Sequence, residues 1–316
     1  MFKLLRWATL AVALSVLFGF SAPAPASAQT VTVYGTNSTG HAGGVFDASG
    51  NYFVSRNGFL QRVTGNGTVF TDLLTLANYS TGMAVRGGNL YYSDENANAI
   101  YRIATNCVAP CTPTLVANTP TNAPEQIAFD AAGNLFYSSF QSSDVYRLAA
   151  GCVEPCTSIV HANGGGFQFR TFGVAIAANG DRYFSTSSGR IVRTPVGCTE
   201  PCTGTLVTTV PGNQGGSLTF SNGVLYMNSN TSIYAVPTTG AAATVYATSP
   251  SFVFPYGLAT APNGDLIVAD LASANIFRIA PAVVPVPTLS EWAMILLGLI
   301  LAGAATLVIQ RRTVSL

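Results

Sequence analysis

Six cysteines make the first pattern with chemical meaning. They fall in three pairs, Cys107/Cys111, Cys152/Cys156 and Cys198/Cys202, each within a C-x-x-P-C string. Such pairs either close a disulfide across a tight turn or ligate a soft metal. A metal needs four converging ligands, whereas these pairs fall in three separate repeats. Pro110, Pro155 and Pro201 pre-set the turn, so the spacing predicts three local disulfides and an oxidising compartment. Redox catalysis is disfavoured, because the spacing is not C-x-x-C. Loops this short gain little chain entropy from cross-linking, so each bond contributes less than the usual ~2–4 kcal/mol. Catalytic side chains are sparse. The only histidines are His41 and His161, both read as surface residues, and no G-x-S-x-G string presents a serine nucleophile. No catalytic residue is assigned and no cofactor is expected. Asp94-Glu95 and Asp270 hold equivalent places in their repeats, where they either cap backbone N–H groups or form the polar rim of a ligand-binding face.

The elements that position these residues recur about every 40 to 45 residues. Residues 29–284 repeat an apolar strand, a Gly-containing turn, an apolar-aromatic strand, a polar loop and a third strand often ending in Arg. The turn glycines are Gly50, Gly88, Gly133, Gly180, Gly223 and Gly264, spaced 38, 45, 47, 43 and 41 residues apart. Short strands at that period predict an all-β, six-bladed propeller and exclude a helical solenoid. A fourth strand follows each copy except the last. Val31-Thr32-Val33-Tyr34 resembles Thr244-Val245-Tyr246 and is expected to complete blade six and close the ring. Arg62, Arg102, Arg147, Arg193 and Arg278 share one place on the third strand. They read as structural partners of carboxylates or carbonyls between blades.

Composition limits the function. The chain has 316 residues, of which 48% are hydrophobic and 9% charged, with a net charge of +1. A broad basic field for nucleic acid is excluded. The two ends read as addresses. Residues 1–28 have the form of a signal peptide, with Lys3 and Arg6 before an apolar run and Ala26-Ser27-Ala28 as the signal peptidase site, cut after Ala28. An uncleaved anchor is the alternative. At the other end, Trp292 to Ile309 is apolar for 18 residues and Arg311-Arg312 follows. That length nearly spans a bilayer core, and the charge order leaves the domain outside the inner membrane.

Pro285 to Trp292, then the apolar segment, then Arg311 and Arg312, resembles the IPTL-CTERM sorting signal, with Pro287, Thr288, Leu289 and Trp292 as its motif residues. The resemblance implies export and recognition by an exosortase-type enzyme over residues 285–316. A plain tail anchor is the alternative. In the middle, Ile127-Ala128-Phe129-Asp130-Ala131-Ala132-Gly133-Asn134 and Gly257-Leu258-Ala259-Thr260-Ala261-Pro262-Asn263-Gly264 resemble the NHL-repeat and SMP-30/gluconolactonase propellers. That resemblance implies a divalent metal at the central channel, held by carboxylate and Asn/Asp side chains at the starts of inner strands. This chain departs from the pattern. Those starts carry Gly43-Gly44, Thr81-Gly82, Glu125, Phe172, Gly215-Gly216 and Tyr256, with Glu125 the only acid. Phe172 and Tyr256 predict an apolar-aromatic mouth. The leading expectation is a surface-sorted module that binds an envelope glycan or protein through the channel face. The alternative is a metal-dependent lactonase or lyase.

Overall fold

The apolar run at the heart of each repeat becomes the second strand of a four-stranded antiparallel blade. The computed structural model describes residues 29–38, 40–119, 123–212, 215–281 and 296–301. The expected signal sequence, its expected cleavage site at Ala28 and most of the sorting segment, including Trp292, Arg311 and Arg312, lie outside the described residues. The chain divides into two units, 1–281 and 282–316. In the second, residues 296–301 are helical. No helix among the described residues is long and apolar enough to cross a membrane.

The strands run in order. β1 is Val31–Thr36. Blade one is β2 His41–Phe46, β3 Tyr52–Arg56, β4 Phe59–Thr64 and β5 Val69–Thr75. Blade two is β6 Met83–Arg86, β7 Asn89–Asp94, β8 Ala99–Ala104 and β9 Thr114–Asn118. Blade three is β10 Pro124–Phe129, β11 Leu135–Ser139, β12 Val145–Leu148 and β13 Ile159–Asn163. Blade four is β14 Thr171–Ile176, β15 Arg182–Thr186 and β16 Arg190–Thr194, with β17 Cys202–Thr203 preceding its last strand, β18 Thr205–Thr209. Blade five is β19 Leu218–Ser221, β20 Val224–Ser229, β21 Ser232–Val236 and β22 Thr244–Thr248. Blade six is β23 Pro255–Thr260, β24 Leu266–Asp270 and β25 Asn275–Ile279, completed by β1.

β1 pairs antiparallel with β25 from Val31↔Ile279 to Thr36↔Asn275, so the first strand closes the ring as its sequence predicts. Each second strand is covered on both faces by neighbouring blades. This is why Leu135-Phe136-Tyr137 and Leu266-Ile267-Val268 are continuously apolar rather than alternating. The core is divided accordingly. One apolar cluster fills each seam between successive blades, for example Phe53, Leu60, Leu90 and Ile103 between blades one and two. Phe252, Leu258, Val268 and Phe277 do the same between blades five and six. The six turn glycines all adopt positive φ, from 74° at Gly88 to 94° at Gly133, a region other side chains avoid.

The cysteine pairs form the predicted disulfides, with Cα atoms 5.8, 5.6 and 5.7 Å apart. Their role extends past the hairpin. Each hairpin reaches back onto the outer strand of the preceding blade. Cys111 N–H donates to Leu73 O (2.8 Å) and Cys156 N–H to Val116 O (2.7 Å). β17 adds to blade three in parallel as a fifth strand, which the repeat pattern does not predict. Three consecutive seams, from blade one to blade four, are bridged in this way.

The recurrent arginines are structural, and their partners follow a rule. Arg102 takes Glu154 and Arg147 takes Glu200, each from the next blade's disulfide hairpin (2.9 and 2.7 Å from Nε). In those two blades the turn residue beside the arginine is neutral, Asn89 or Asn134. Arg193 and Arg278 receive no carboxylate from the next blade, and their own turn residues are acidic, Asp181 and Asp265. Each of these four arginines thus has one carboxylate, delivered by one route or the other. Arg62, opposite a hairpin that has Ala109 in place of Glu, donates to the carbonyls of Thr105 and Cys107.

Candidate functional site

The inner strands start at one face of the disc and converge on its axis. Aligned by register, Gly43, Gly82, Gln126, Gly173, Ser217 and Gly257 hold the same position in the six blades. Five are small and one is long. A Cβ at Gly43, Gly82 or Gly257 would lie within 2.3 Å of a carbonyl of the adjacent blade, so these strands approach too closely for any side chain. The room left at the axis is taken by Gln126. Its Oε1 accepts from Val174 N–H (3.0 Å) and Leu218 N–H (2.8 Å), and its Nε2 donates to Leu218 O (2.9 Å). One side chain from blade three thus ties blades four and five together across the channel.

Above this bridge lie the predicted mouth residues. Glu125, Phe172 and Tyr256 meet Thr81, Gly215 and Ser217 around a cavity of about 10 Å³, on the scale of one water molecule. The phenol of Tyr256 donates to Glu125 Oε2 at 3.5 Å. The Phe172 ring covers Gly215, where a Cβ would come within 2.3 Å of it. It also meets Phe140 edge-on, with ring centres 5.5 Å apart. Phe172 and Tyr256 thus line one small cavity together with the polar Thr81, Glu125, Gln126 and Ser217.

Glu125 is buried, and Glu95 reaches it from the loop after β7. Burial first, and the charge of Glu95 second, push Glu125 well above the usual carboxylate range. Burial also raises Glu95. The two carboxyls interact beside the Thr81 hydroxyl, and the buried Glu125 is the one driven most strongly towards its neutral form. The other acids named from sequence do not join them. Asp94 accepts from Ala97 N–H within its own turn. Asp270 is fully buried and caps the N–H groups of Val253, Phe254, Ala272 and Ser273, so it orders a loop and does not form a channel rim.

A hard divalent cation asks for six or more oxygens. The donors here are two interacting carboxyls, one hydroxyl and one phenol, while the Gln126 carbonyl is already committed to two backbone N–H groups. The residues present do not fit the metal that the gluconolactonase resemblance implies.

Both histidines correct the surface reading. His161 is buried because the blade-four hairpin folds over it. Its Nδ1 donates to Glu200 Oε1 (2.7 Å) and its Nε2 accepts from Thr194 Oγ1 (3.2 Å). Burial lowers its pKa, so it is a neutral spacer in the seam. Arg147 and His161 together hold Glu200 down to about 2. The sulfurs of Cys198 and Cys202 lie within 4.8 Å of the His161 ring nitrogen, but they are bonded to each other.

His41, the first residue of β2, is also buried, and neither ring nitrogen has a hydrogen-bond partner among the described residues. Burial, then the positive charge of Arg56, lower its pKa from 6.5 to about 4, against an opposing pull from Asp270. The unfolded chain therefore takes up a proton here that the folded chain refuses. Stability is complete above pH 6.5 and falls as pH drops towards 4, by up to about 3 kcal/mol. His41→Leu is expected to flatten that slope, raising the melting temperature more at pH 5 than at pH 7.5. Equal shifts at both pH values would show that His41 is not the titrating group.

Residues 284–312 match the IPTL-CTERM motif, which indicates export and surface sorting by an exosortase-type system. No curated protein matches the chain in sequence. In fold, the chain is similar to a gluconolactonase from Xanthomonas campestris, at 13% identity and a TM-score of 0.64, covering 79% of this chain and 89% of that one. It is likewise similar to a streptogramin B lyase, at 13% identity and a TM-score of 0.57, over 80% and 97%. A PQQ-bound aldose sugar dehydrogenase from Streptomyces coelicolor gives 14% identity and a TM-score of 0.61, over 81% and 99%. Such identities speak for fold alone. The chain is a six-bladed β-propeller, similar in architecture to gluconolactonase-like propellers, that carries a C-terminal IPTL-CTERM motif.

Proposed function

We propose that the propeller is a ligand- or protein-binding module of the cell envelope, exported by its signal sequence. In this reading it is held at the inner membrane through residues 292–309 before sorting to the surface. The observation that carries it is the Gln126 bridge. The channel mouth at the starts of the inner strands is crossed by Gln126, which leaves about 10 Å³ on the Glu125 side, while about 340 Å³ lies open on the other side, walled by the inner strands of all six blades and without a carboxylate. A surface built on six rigid blades, with little charge and a channel crossed at the Glu125 mouth, suits recognition more than turnover.

The Glu95–Glu125 pair favours a second reading. A carboxyl driven towards its neutral form beside a second carboxyl is an acid–base couple, and a lactone or a cyclic peptide would be its substrate class. Melting of residues 29–281, which contain every strand of the ring, separates the two. EDTA followed by Ca²⁺, Mg²⁺, Mn²⁺ or Zn²⁺ is expected to leave the transition unmoved. A cation bound at 100 times its Kd would add about 2.7 kcal/mol, a rise of roughly 5–10 °C. A rise of that size, lost in Glu125→Gln, would overturn the binding-module reading in favour of the hydrolase.

A further inference from the structure

The face opposite Glu125 holds an open cleft of about 450 Å³ at the seam between blades six and one. This is within the size range of small-molecule sites. Its origin lies in the arginine rule. At the seams after blades two and three, the following blade's disulfide hairpin fills this place and covers Arg102 and Arg147, whose side chains are 31% and 20% exposed. Blade one has no such hairpin. Its corresponding turn, around Asn66, is short, and Arg278 is left 46% exposed.

The lining is chemically specific. Arg278 gives its Nε to Asp265, so the two charges cancel while both groups line the cleft. Asn66 is exposed and offers an amide donor and acceptor, while Asn263 is tied to Asp265, giving Nδ2 to its carboxylate (2.7 Å) and accepting from its N–H (3.2 Å). Tyr34 and Phe46, half-buried and edge-to-face with ring centres 6.3 Å apart, make an apolar wall. A ligand for this cleft carries no net charge, because the ion pair is already balanced. It needs donors and acceptors on neighbouring atoms, to accept from guanidinium and amide while donating to carboxylate. It also needs an apolar face for the rings. Vicinal hydroxyls on a C–H-faced ring meet all three requirements.

We propose that the cleft between blades six and one binds a neutral saccharide. The proposal deepens the binding-module reading at a face remote from the channel, so the cation test and this one fail separately. Calorimetric titration of residues 29–281 with maltotriose, cellotriose and triacetylchitotriose is expected to give saturable binding to at least one, with a Kd below about 1 mM. Arg278→Gln is expected to weaken it about tenfold or more. Val33→Trp fills the cleft from an exposed position on β1 without touching the ion pair, and is expected to abolish binding with melting unchanged. Absence of binding by all three sugars, unchanged affinity in Val33→Trp, or tighter binding of glucuronate than of the neutral sugars would each overturn the proposal.

Discussion

A chain lacking residues 29–36 is expected to lose its cooperative melting transition and to aggregate. β1 contributes five register pairs to β25 and is the outer strand of blade six. At about 0.5–1.5 kcal/mol net per hydrogen bond, plus the burial of Val31 and Tyr34 against the blade, its loss costs about 5 kcal/mol or more. That is comparable with the whole stability of an ordinary domain. The damage also has a direction. Removing β1 leaves an unpaired edge on β25, the kind of surface that recruits other strands. Calorimetry and size-exclusion chromatography would show it, and a synthetic peptide of residues 29–38 added in trans is expected to restore part of the transition. A truncated chain that melts cooperatively within about 3 °C of the full domain would mean that blade six stands without β1.

Gln126→Leu is expected to cost about 3–5 kcal/mol, lowering the melting temperature by roughly 10 °C. The substitution removes an acceptor shared by the N–H groups of Val174 and Leu218 and a donor to Leu218 O. Leucine fills the space and keeps water from replacing the lost partners, so the orphaned groups bear the full desolvation penalty. Gln126→Ala opens the axis instead, lets water reach the same groups, and should therefore cost less despite removing more atoms. Thermal melting of the two variants gives the order. Leucine tolerated better than alanine would show that packing, not hydrogen bonding, is what Gln126 supplies.

Much of the fold is legible because it rests on local rules. The turn glycines mark a backbone region that only they enter freely. The likeness of Thr32-Val33-Tyr34 to Thr244-Val245-Tyr246 marks a strand whose blade lies at the far end of the chain. The C-x-x-P-C spacing fixes a Cα separation that a disulfide can span. The site is less legible because it is assembled across blades. Glu95 and Glu125 meet through a closure that neither stretch of sequence encodes alone. His161 lies in an outer strand, the place for a surface residue in a bare propeller, and is buried only because a hairpin 40 residues later folds over it. The signal for Gln126 is present but comparative. One repeat carries glutamine where the others carry Gly43, Gly82, Gly173, Ser217 and Gly257, a contrast visible once the blades are aligned by register.

The closing strand has a mechanical consequence. β25 lies between β24 and β1, and its last residue, Ile279, is paired at the end of both ladders, with Leu266 and with Val31. A chain tethered beyond Pro281 and pulled through that tether is loaded at the end of these ladders. The bonds then break in succession, two at a time, rather than all together in shear. Blade six is thus the fuse of the ring, while the disulfide-bridged arc from blade one to blade four lies farthest along the chain from the point of load. Under tension the molecule should lose one blade at low force and keep the remaining arc to high force, giving a two-step extension trace in an optical trap. Reducing the disulfides should lower only the second step.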